Sequence, residues 1–337
     1  MASGISNVLR ALVESTPIPA AGVALGVVSL GGLHAAAFPL VQPLCVAVAT
    51  ALALLVVAKV ALFPSCFRAD MGNPVVAGTF ATLFMCAMQL ASFAQPALGT
   101  AAFALWALAV ACHATLIAWF TWRFVRGFRL RNVFTSWFVA YVGIIVGALT
   151  SPAFGMEALG RALFGFGFVC YAVLLVVVTL RHARHPLPEP AAPTFCIYTA
   201  PLSLSLAGYL SVTAQPHPVF VAVLAAMAQG MLVVVAVRLP RLLRLPFYPS
   251  YAAMTFPFVI TATALAKALA CLASAGWALP AWLDALSAAE AAFATAIVCY
   301  VLARYLHHIA RETRTLAATL GSSVRAQSAP TAAEIAR

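Results

Sequence analysis

The chain has 337 residues, of which 64% are hydrophobic and only 8% are charged, with 19 Lys and Arg against 8 Asp and Glu. Soluble domains carry about 25% charged residues, so these few charges could not cover the surface of a water-soluble protein of this size. Composition therefore excludes soluble enzymes, secreted disulfide-rich proteins and nucleic-acid-binding domains. It predicts an all-α integral membrane protein that crosses the bilayer many times.

Ten apolar stretches are long enough to span the membrane, which takes about 20 helical residues. In chain order, these predicted spans are 20–37, 43–63, 75–93, 100–124, 133–154, 158–180, 195–212, 217–237, 250–273 and 280–307. None shows the alternation of a β-barrel strand. The same pattern predicts a cytoplasmic N-terminal segment at 1–16, a ten-helix transport domain at 17–312 and a disordered cytoplasmic tail at 313–337.

Arginines are concentrated in alternate links between the predicted spans. They are Arg123, Arg126, Arg129 and Arg131, then Arg181 and Arg184, and then Arg238, Arg241 and Arg244. The positive-inside rule predicts that these links and both termini are cytoplasmic, in a cell inner (plasma) membrane. The remaining links are short and carry few charges, which predicts five helical hairpins. We expect these hairpins to surround a central pore, with the first helix of each hairpin on the inside.

Prolines and glycines distinguish the odd-numbered spans from the even-numbered ones. A proline lacks a backbone N–H and so leaves one helix carbonyl without its partner, which a membrane helix tolerates where neighbouring groups or a water-filled cavity satisfy that carbonyl. Four prolines are therefore predicted to kink the pore helices: Pro19, Pro74, Pro201 and Pro257. Three glycines are candidates to line the pore, although close helix packing would explain them equally well: Gly22, Gly26 and Gly143.

Few ionisable residues are predicted to lie deep in the membrane. The odd-numbered spans contain no carboxylate, and Lys267 carries their one formal charge. Pore helices without carboxylates, next to links rich in arginine, would favour anions over cations. Lys267 and Glu290 lie at similar distances from the link between spans nine and ten, so they could form a buried ion pair, or Lys267 could face inward as an anion site. His113 could carry a proton near neutral pH or be a simply packed side chain.

Several short motifs are recognisable along the chain. They are the stretch Pro17-Ile18-Pro19-Ala20-Ala21-Gly22-Val23-Ala24-Leu25-Gly26, Asn73-Pro74-Val75, Ala200-Pro201-Leu202 with Gly208-Tyr209-Leu210-Ser211, and Thr255-Phe256-Pro257. Together they resemble the tellurite-resistance and dicarboxylate transporter family, which includes the plant slow-type anion channels. The resemblance implies a homotrimer in which each protomer encloses its own pore. It also implies that Phe256, before the proline of the ninth helix, closes that pore.

These observations predict a channel or facilitator for small anions with a pore gated by Phe256. The alternative is a proton-coupled carrier or exporter of C4-dicarboxylates such as malate, or of sulfite or tellurite, and the shortage of deep titratable groups favours the channel. A purely structural membrane subunit is a further alternative. An enzyme is disfavoured, because the two aspartates, Asp70 and Asp284, are far apart and no GxSxG motif occurs. We expect small anions, the bilayer and further copies of the chain as partners, and no cofactor, metal or nucleic acid.

Overall fold

A computed structural model describes the backbone of residues 2–328 and the side chains of residues 7–319. This part of the chain consists of helices and contains no strand, which confirms the all-α prediction. The α-helices are α1 (Ala2–Ser15), α2 (Ala20–His34), α3 (Val41–Leu62), α4 (Pro64–Asp70), α5 (Pro74–Thr79), α6 (Ala81–Leu98), α7 (Thr100–Phe120), α8 (Ser136–Val142), α9 (Ile145–Thr150), α10 (Glu157–Arg184), α11 (Ala200–Val212), α12 (Pro218–Leu242), α13 (Phe256–Ser274) and α14 (Trp282–Ser328).

Within the described residues, eight helical segments are long and apolar enough to cross a membrane. Two further segments are bent pairs, Asn7–Ser15 with Ala20–His34 at 84° and Ser136–Val142 with Ile145–Phe154 at 45°. The count is therefore eight to ten spans, and the predicted multi-pass membrane protein is confirmed at that level.

The helical segments fall into an inner and an outer set. In the three unbent segments Pro74–Leu98, Glu189–Val212 and Pro249–Ser274, 61–83% of the most apolar window is buried inside the protein. The corresponding share in the five others is only 22–39%. Every residue of α2 from Ala20 to Gly31 is buried as well. Since a bilayer covers the apolar outer faces, the buried set forms the interior of the bundle.

The inner helices contact one another in a closed order. α2 packs against α6, α6 against α9, α9 against α11, α11 against α13, and α13 against α2 again. Each of these helices also packs against the long helix that follows it in the chain: α3, α7, α10, α12 and α14, respectively. The inner elements therefore enclose a common axis, and the outer helices cover them.

The predicted terminal segments meet on the surface of the bundle. Helix α1 packs mainly against α14, and the hydroxyls of Ser15 and Thr313 lie 2.9 Å apart. Helix α14 continues beyond the predicted span, so residues 313–328 of the expected disordered tail are helical. Residues 329–337 of that tail lie outside the described residues.

Candidate functional site

A wide vestibule of about 770 Å³ opens at one end of the bundle. Its lining comes from the starts of the inner helices and the segments just before them, represented by Pro19, Asn73, Asn132, Pro190 and Ser250. These residues follow or adjoin the arginine-bearing links, so we refer to this end of the bundle as the arginine-rich end. At the start of α5, Oδ1 of Asn73 accepts a hydrogen bond from the backbone N–H of Val75 at 2.9 Å and so caps the helix.

The vestibule leads into a narrow constriction with a volume of only about 50 Å³. The two spaces share four lining residues, which makes them continuous: Pro19, Thr79, Ala252 and Ala253. The wall of the constriction contains residues from all five inner segments, among them Gly22, Met85, Gly143, Leu204 and Phe256. Phe256 is only 5% exposed. The constriction therefore lies on the common axis of the inner helices.

The constriction offers almost no free polar group. Its two hydroxyl-bearing residues, Thr79 and Thr82, donate hydrogen bonds to backbone carbonyls of their own segment at 2.7–3.0 Å. The remaining lining is apolar, and no charged residue lines either this space or the vestibule. An ion in the constriction would lose its hydration without replacement partners, so this space does not favour a hydrated ion.

Phe256 begins α13 and is positioned by the residue before it. Oγ1 of Thr255 donates to the backbone oxygen of Gly22 in α2 at 2.9 Å and to that of Ala252 at 2.7 Å. This contact joins the first and ninth predicted spans directly beside the phenyl ring. Sequence analysis did not single out Thr255, although it belongs to the motif Thr255-Phe256-Pro257.

Two of the three predicted glycines line the constriction, and the third has a different role. Gly22 and Gly143 lie in the wall. Gly26 lies against Thr255 instead, where an added Cβ would come within 2.6 Å of Oγ1 of Thr255 and 3.0 Å of the backbone nitrogen of Phe256. Gly26 therefore leaves room for the segment that carries Phe256. Gly26 was predicted to line the pore, but it does not border the constriction, because its face of α2 is turned toward α13.

The four predicted kink prolines all lie at helix starts. Pro19 immediately precedes α2, Pro74 is the first residue of α5, and Pro201 and Pro257 are the second residues of α11 and α13. A proline is tolerated there because the first turn has no intrahelical partner for its missing N–H. For three of these prolines the chain changes direction or helix type on the N-terminal side: the 84° bend lies at Pro19, and the 3₁₀ segments Glu189–Thr199 and Pro249–Met254 precede Pro201 and Pro257.

The profile of the voltage-dependent anion channel family, SLAC1, matches residues 2–309, which is most of the chain. The chain belongs to this family. The match confirms the resemblance to tellurite-resistance and dicarboxylate transporters and slow anion channels that the motifs indicated. Among curated proteins, none matches the chain. Members of the voltage-dependent anion channel family are channels and transporters, which assigns this multi-pass membrane protein to anion transport.

The ion pair expected between Lys267 and Glu290 does not form in this family member. Nζ of Lys267 donates to Oγ of Ser211 on α11 at 3.2 Å, at the surface of the bundle. Glu290 is buried and lines a separate cleft of about 530 Å³ with Phe258 and Thr261 of α13. Lys267 lies six residues beyond Thr261, or about 9 Å along the helix, which separates the two charges in depth. Neither residue lines the constriction.

His113 lies directly behind the wall of the constriction. It is fully buried, and its Nε2 donates to the backbone oxygen of Ala140 at 2.9 Å. A Cβ added to Gly143 would lie 3.2 Å from Cε1 of His113, so only the glycine separates the imidazole from the passage. Nδ1 has no hydrogen-bond partner among the described residues. His113 thus joins α7 to α8 and does not itself line the passage.

Several residues of the constriction were not predicted from the sequence. Thr79, Thr82, Met85, Phe138 and Leu204 belong to the wall, but each is an ordinary member of an apolar run. Because the inner helices are apolar on all sides, no periodicity distinguishes the face that borders the axis from the face that packs. Only the three-dimensional arrangement separates them.

Proposed function

We propose that the chain is an anion channel whose ten spans form five helical hairpins around a pore, with Phe256 as its gate. The closed order of contacts among α2, α6, α9, α11 and α13 supports the ring, and the packing of each on the next long helix supports the hairpins. The observation that carries the proposal is the position of Phe256 in the wall of a 50 Å³ apolar constriction that continues into an open vestibule.

Anion selectivity is supported by the charges that border the passage. The lining residues include no Asp or Glu. Pro19 and Asn73, which precede α2 and α5, line the vestibule, so the N-terminal partial positive charges of these two helices face the entering ion. The arginines of the neighbouring links add positive potential at the same end. A cation would meet this potential without a carboxylate to offset it, whereas a small anion would be attracted into the vestibule.

Replacement of the gate tests the proposal directly. We expect Phe256→Ala to raise the anion conductance of the purified protein in planar bilayers several-fold, because removal of the ring widens the constriction and admits water. Phe256→Leu, which keeps more of the side chain, should give a smaller rise. The measurement is the unitary current in an ion-substitution series of chloride, nitrate, sulfite, malate and tellurite.

Phe258→Ala is the matched control for the gate variant. Phe258 follows Phe256 within the first turn of the same helix. Its ring centroid lies 5.1 Å from that of Phe293, and the residue does not border the constriction. We expect this variant to keep the wild-type current when size-exclusion chromatography shows that it is folded. An unchanged current in folded Phe256→Ala would remove Phe256 as the gate.

The alternative function, a proton-coupled carrier, has one specific observation in its favour. His113 is a buried titratable group with only Gly143 between it and the passage. Proton coupling would require its protonation state to change during transport. We expect anion flux into liposomes to be the same with and without an imposed pH gradient, and His113→Gln to leave that independence intact. A flux driven by the pH gradient and lost in His113→Gln would instead support the carrier.

The setting of the channel follows from the same features. We infer that the arginine-rich end and both termini face the cytoplasm and that the membrane is the cell inner membrane, in accord with the positive-inside rule. The family resemblance supports a homotrimer with one pore in each protomer. The contacts of the ring lie within one chain, so each copy would conduct on its own.

A further inference from the structure

A groove of about 390 Å³ lies between α10 and α12, away from the passage. It lies toward the arginine-rich end, because its residues come from the C-terminal halves of both helices: Thr179, His182, Ala183, Met231, Val234 and Arg238. Phe195 and Tyr198 close it at the back. Neither the constriction nor the vestibule shares a residue with it. The groove is therefore a separate feature of the bundle.

Polar groups converge on the back of this groove. The hydroxyl of Tyr198 lies 2.9 Å from Nδ1 of His182 and 3.4 Å from Oγ1 of Thr179. Nε2 of His182 is buried and has no hydrogen-bond partner among the described residues. The hydroxyls and the imidazole therefore make the back of an otherwise apolar groove polar.

Arg238 adds a positive charge that no carboxylate neutralises. Its guanidinium lies over the ring of Phe195, 4.2 Å from the ring centroid, which holds the side chain in place at the groove. The part of the chain whose side chains are described contains one ion pair, Arg311 with Glu312, far from this position. Arg238 therefore brings a positive charge and hydrogen-bond donors to a groove that is lined by no carboxylate.

The surroundings of the groove are apolar and face the bilayer. Val176 and Val237, on the outer faces of α10 and α12, are 67% and 76% exposed. Arg238 lies four residues before the end of α12, a depth at which arginine side chains reach the headgroup region. A ligand in this groove thus enters from the membrane, with its apolar part against the helices and its charged part at the interface.

We propose that this groove binds an anionic phospholipid from the leaflet at the arginine-rich end, with the lipid phosphate on Arg238. A phosphate oxygen accepts from the guanidinium, and basic pockets between membrane helices are a common setting for such headgroups. A zwitterionic lipid has the same phosphate but carries a compensating ammonium, so the unneutralised Arg238 favours a net negative headgroup. The site goes beyond anion transport and does not depend on Phe256 as a gate.

Native mass spectrometry of the purified full-length protein with added phosphatidylglycerol tests the site. We expect Arg238→Gln to weaken retention of this lipid about tenfold, since it removes a charge-assisted hydrogen bond. Arg241→Gln is the matched control, because Arg241 is exposed on the same last turns of α12 and does not line the groove. It should retain phosphatidylglycerol like the wild type. The wild type should retain less phosphatidylcholine than phosphatidylglycerol. The retention of phosphatidylcholine should be the same in the wild type and in every variant.

A second variant keeps the test decisive if Arg238→Gln does not fold. Ala183→Phe fills the groove from α10 without changing any charge, and it should reduce retention of phosphatidylglycerol to a similar degree. Equal loss of lipid in Arg238→Gln and Arg241→Gln would contradict the proposal, because it would indicate general surface charge. Displacement of the lipid by millimolar inorganic phosphate would also overturn it, since the site would then bind free phosphate.

Discussion

At the scale of single residues, the region around Phe256 depends on a close approach between two helices. Thr255 bonds to the backbone of α2, and Gly26 provides the space in which its side chain lies. Position 26 requires glycine, because any side chain there would overlap with Thr255 and approach the backbone of Phe256. The position of the phenyl ring is therefore set by a glycine that does not border the passage.

Gly26→Ala tests this contact. Overpacking a tight site costs typically 1–3 kcal/mol, so we expect a lower midpoint of thermal unfolding in detergent and an altered anion current, because Phe256 would be displaced. Gly230→Ala is the control, since a Cβ at Gly230 meets no atom within 4 Å. That variant should unfold at the wild-type temperature. Equal midpoints for all three proteins would contradict the tight contact.

At the scale of helical elements, a buried lysine holds the 84° bend between α1 and α2. Nζ of Lys59, in the last turn of α3, donates to the backbone oxygens of Glu14 at 3.1 Å and Thr16 at 2.8 Å. These carbonyls lie at the 84° bend between α1 and α2, where the end of α1 leaves backbone acceptors without helical partners. The lysine satisfies them and so fixes the direction in which α2 enters the bundle.

Lys59→Met tests the role of this lysine. Hydrogen bonds from a charged group contribute about 1.5–3 kcal/mol, and the buried carbonyls would lose their donor. We expect a lower thermal unfolding midpoint in detergent and faster proteolysis between α1 and α2. Arg68→Met removes an exposed basic residue on the neighbouring α4 and should leave both measurements unchanged. A stable, protease-resistant Lys59→Met would show that the bend holds without the lysine.

At the scale of the whole molecule, the proposed pathway lies within one chain. The five inner segments contribute to one constriction and one vestibule, and the outer helices expose large apolar side chains, such as Leu54, Val176 and Val237. A single copy therefore contains both the constriction and the vestibule. Association through the outer helices would cover part of the outer surface and leave these two spaces within each copy.

The oligomeric state can be measured independently of transport. We expect light scattering of the protein in mild detergent, corrected for bound detergent, to give three times the chain mass of 35.2 kDa. Each copy in that trimer should conduct separately, so mixed trimers of wild type and Phe256→Ala should give currents that increase with the number of variant copies. A mass of one or two chains would contradict the homotrimer.

Part of the candidate site could be predicted from the sequence. The family resemblance pointed to Phe256, and small side chains in the inner spans pointed to Gly22 and Gly143; all three line the constriction. The expected pairing of Lys267 with Glu290 was wrong. Lys267 and Glu290 are about equally far in sequence from the link between their helices, which suggested similar depths in the membrane. That separation did not specify which face of each helix carries the side chain, or at which depth α13 and α14 contact each other.

The amino-acid sequence by itself determined that this protein lies in a bilayer, that it is all-α, and approximately where its apolar helices lie. These properties depend on local composition, since a long apolar run in a bilayer must satisfy its own backbone hydrogen bonds as a helix. The tertiary structure alone decided which apolar residues border the axis, that Gly26 accommodates Thr255, and that Arg238 and His182 meet at one groove. Such contacts join residues far apart in the chain, and uniformly apolar helices carry no periodic signal that would predict them.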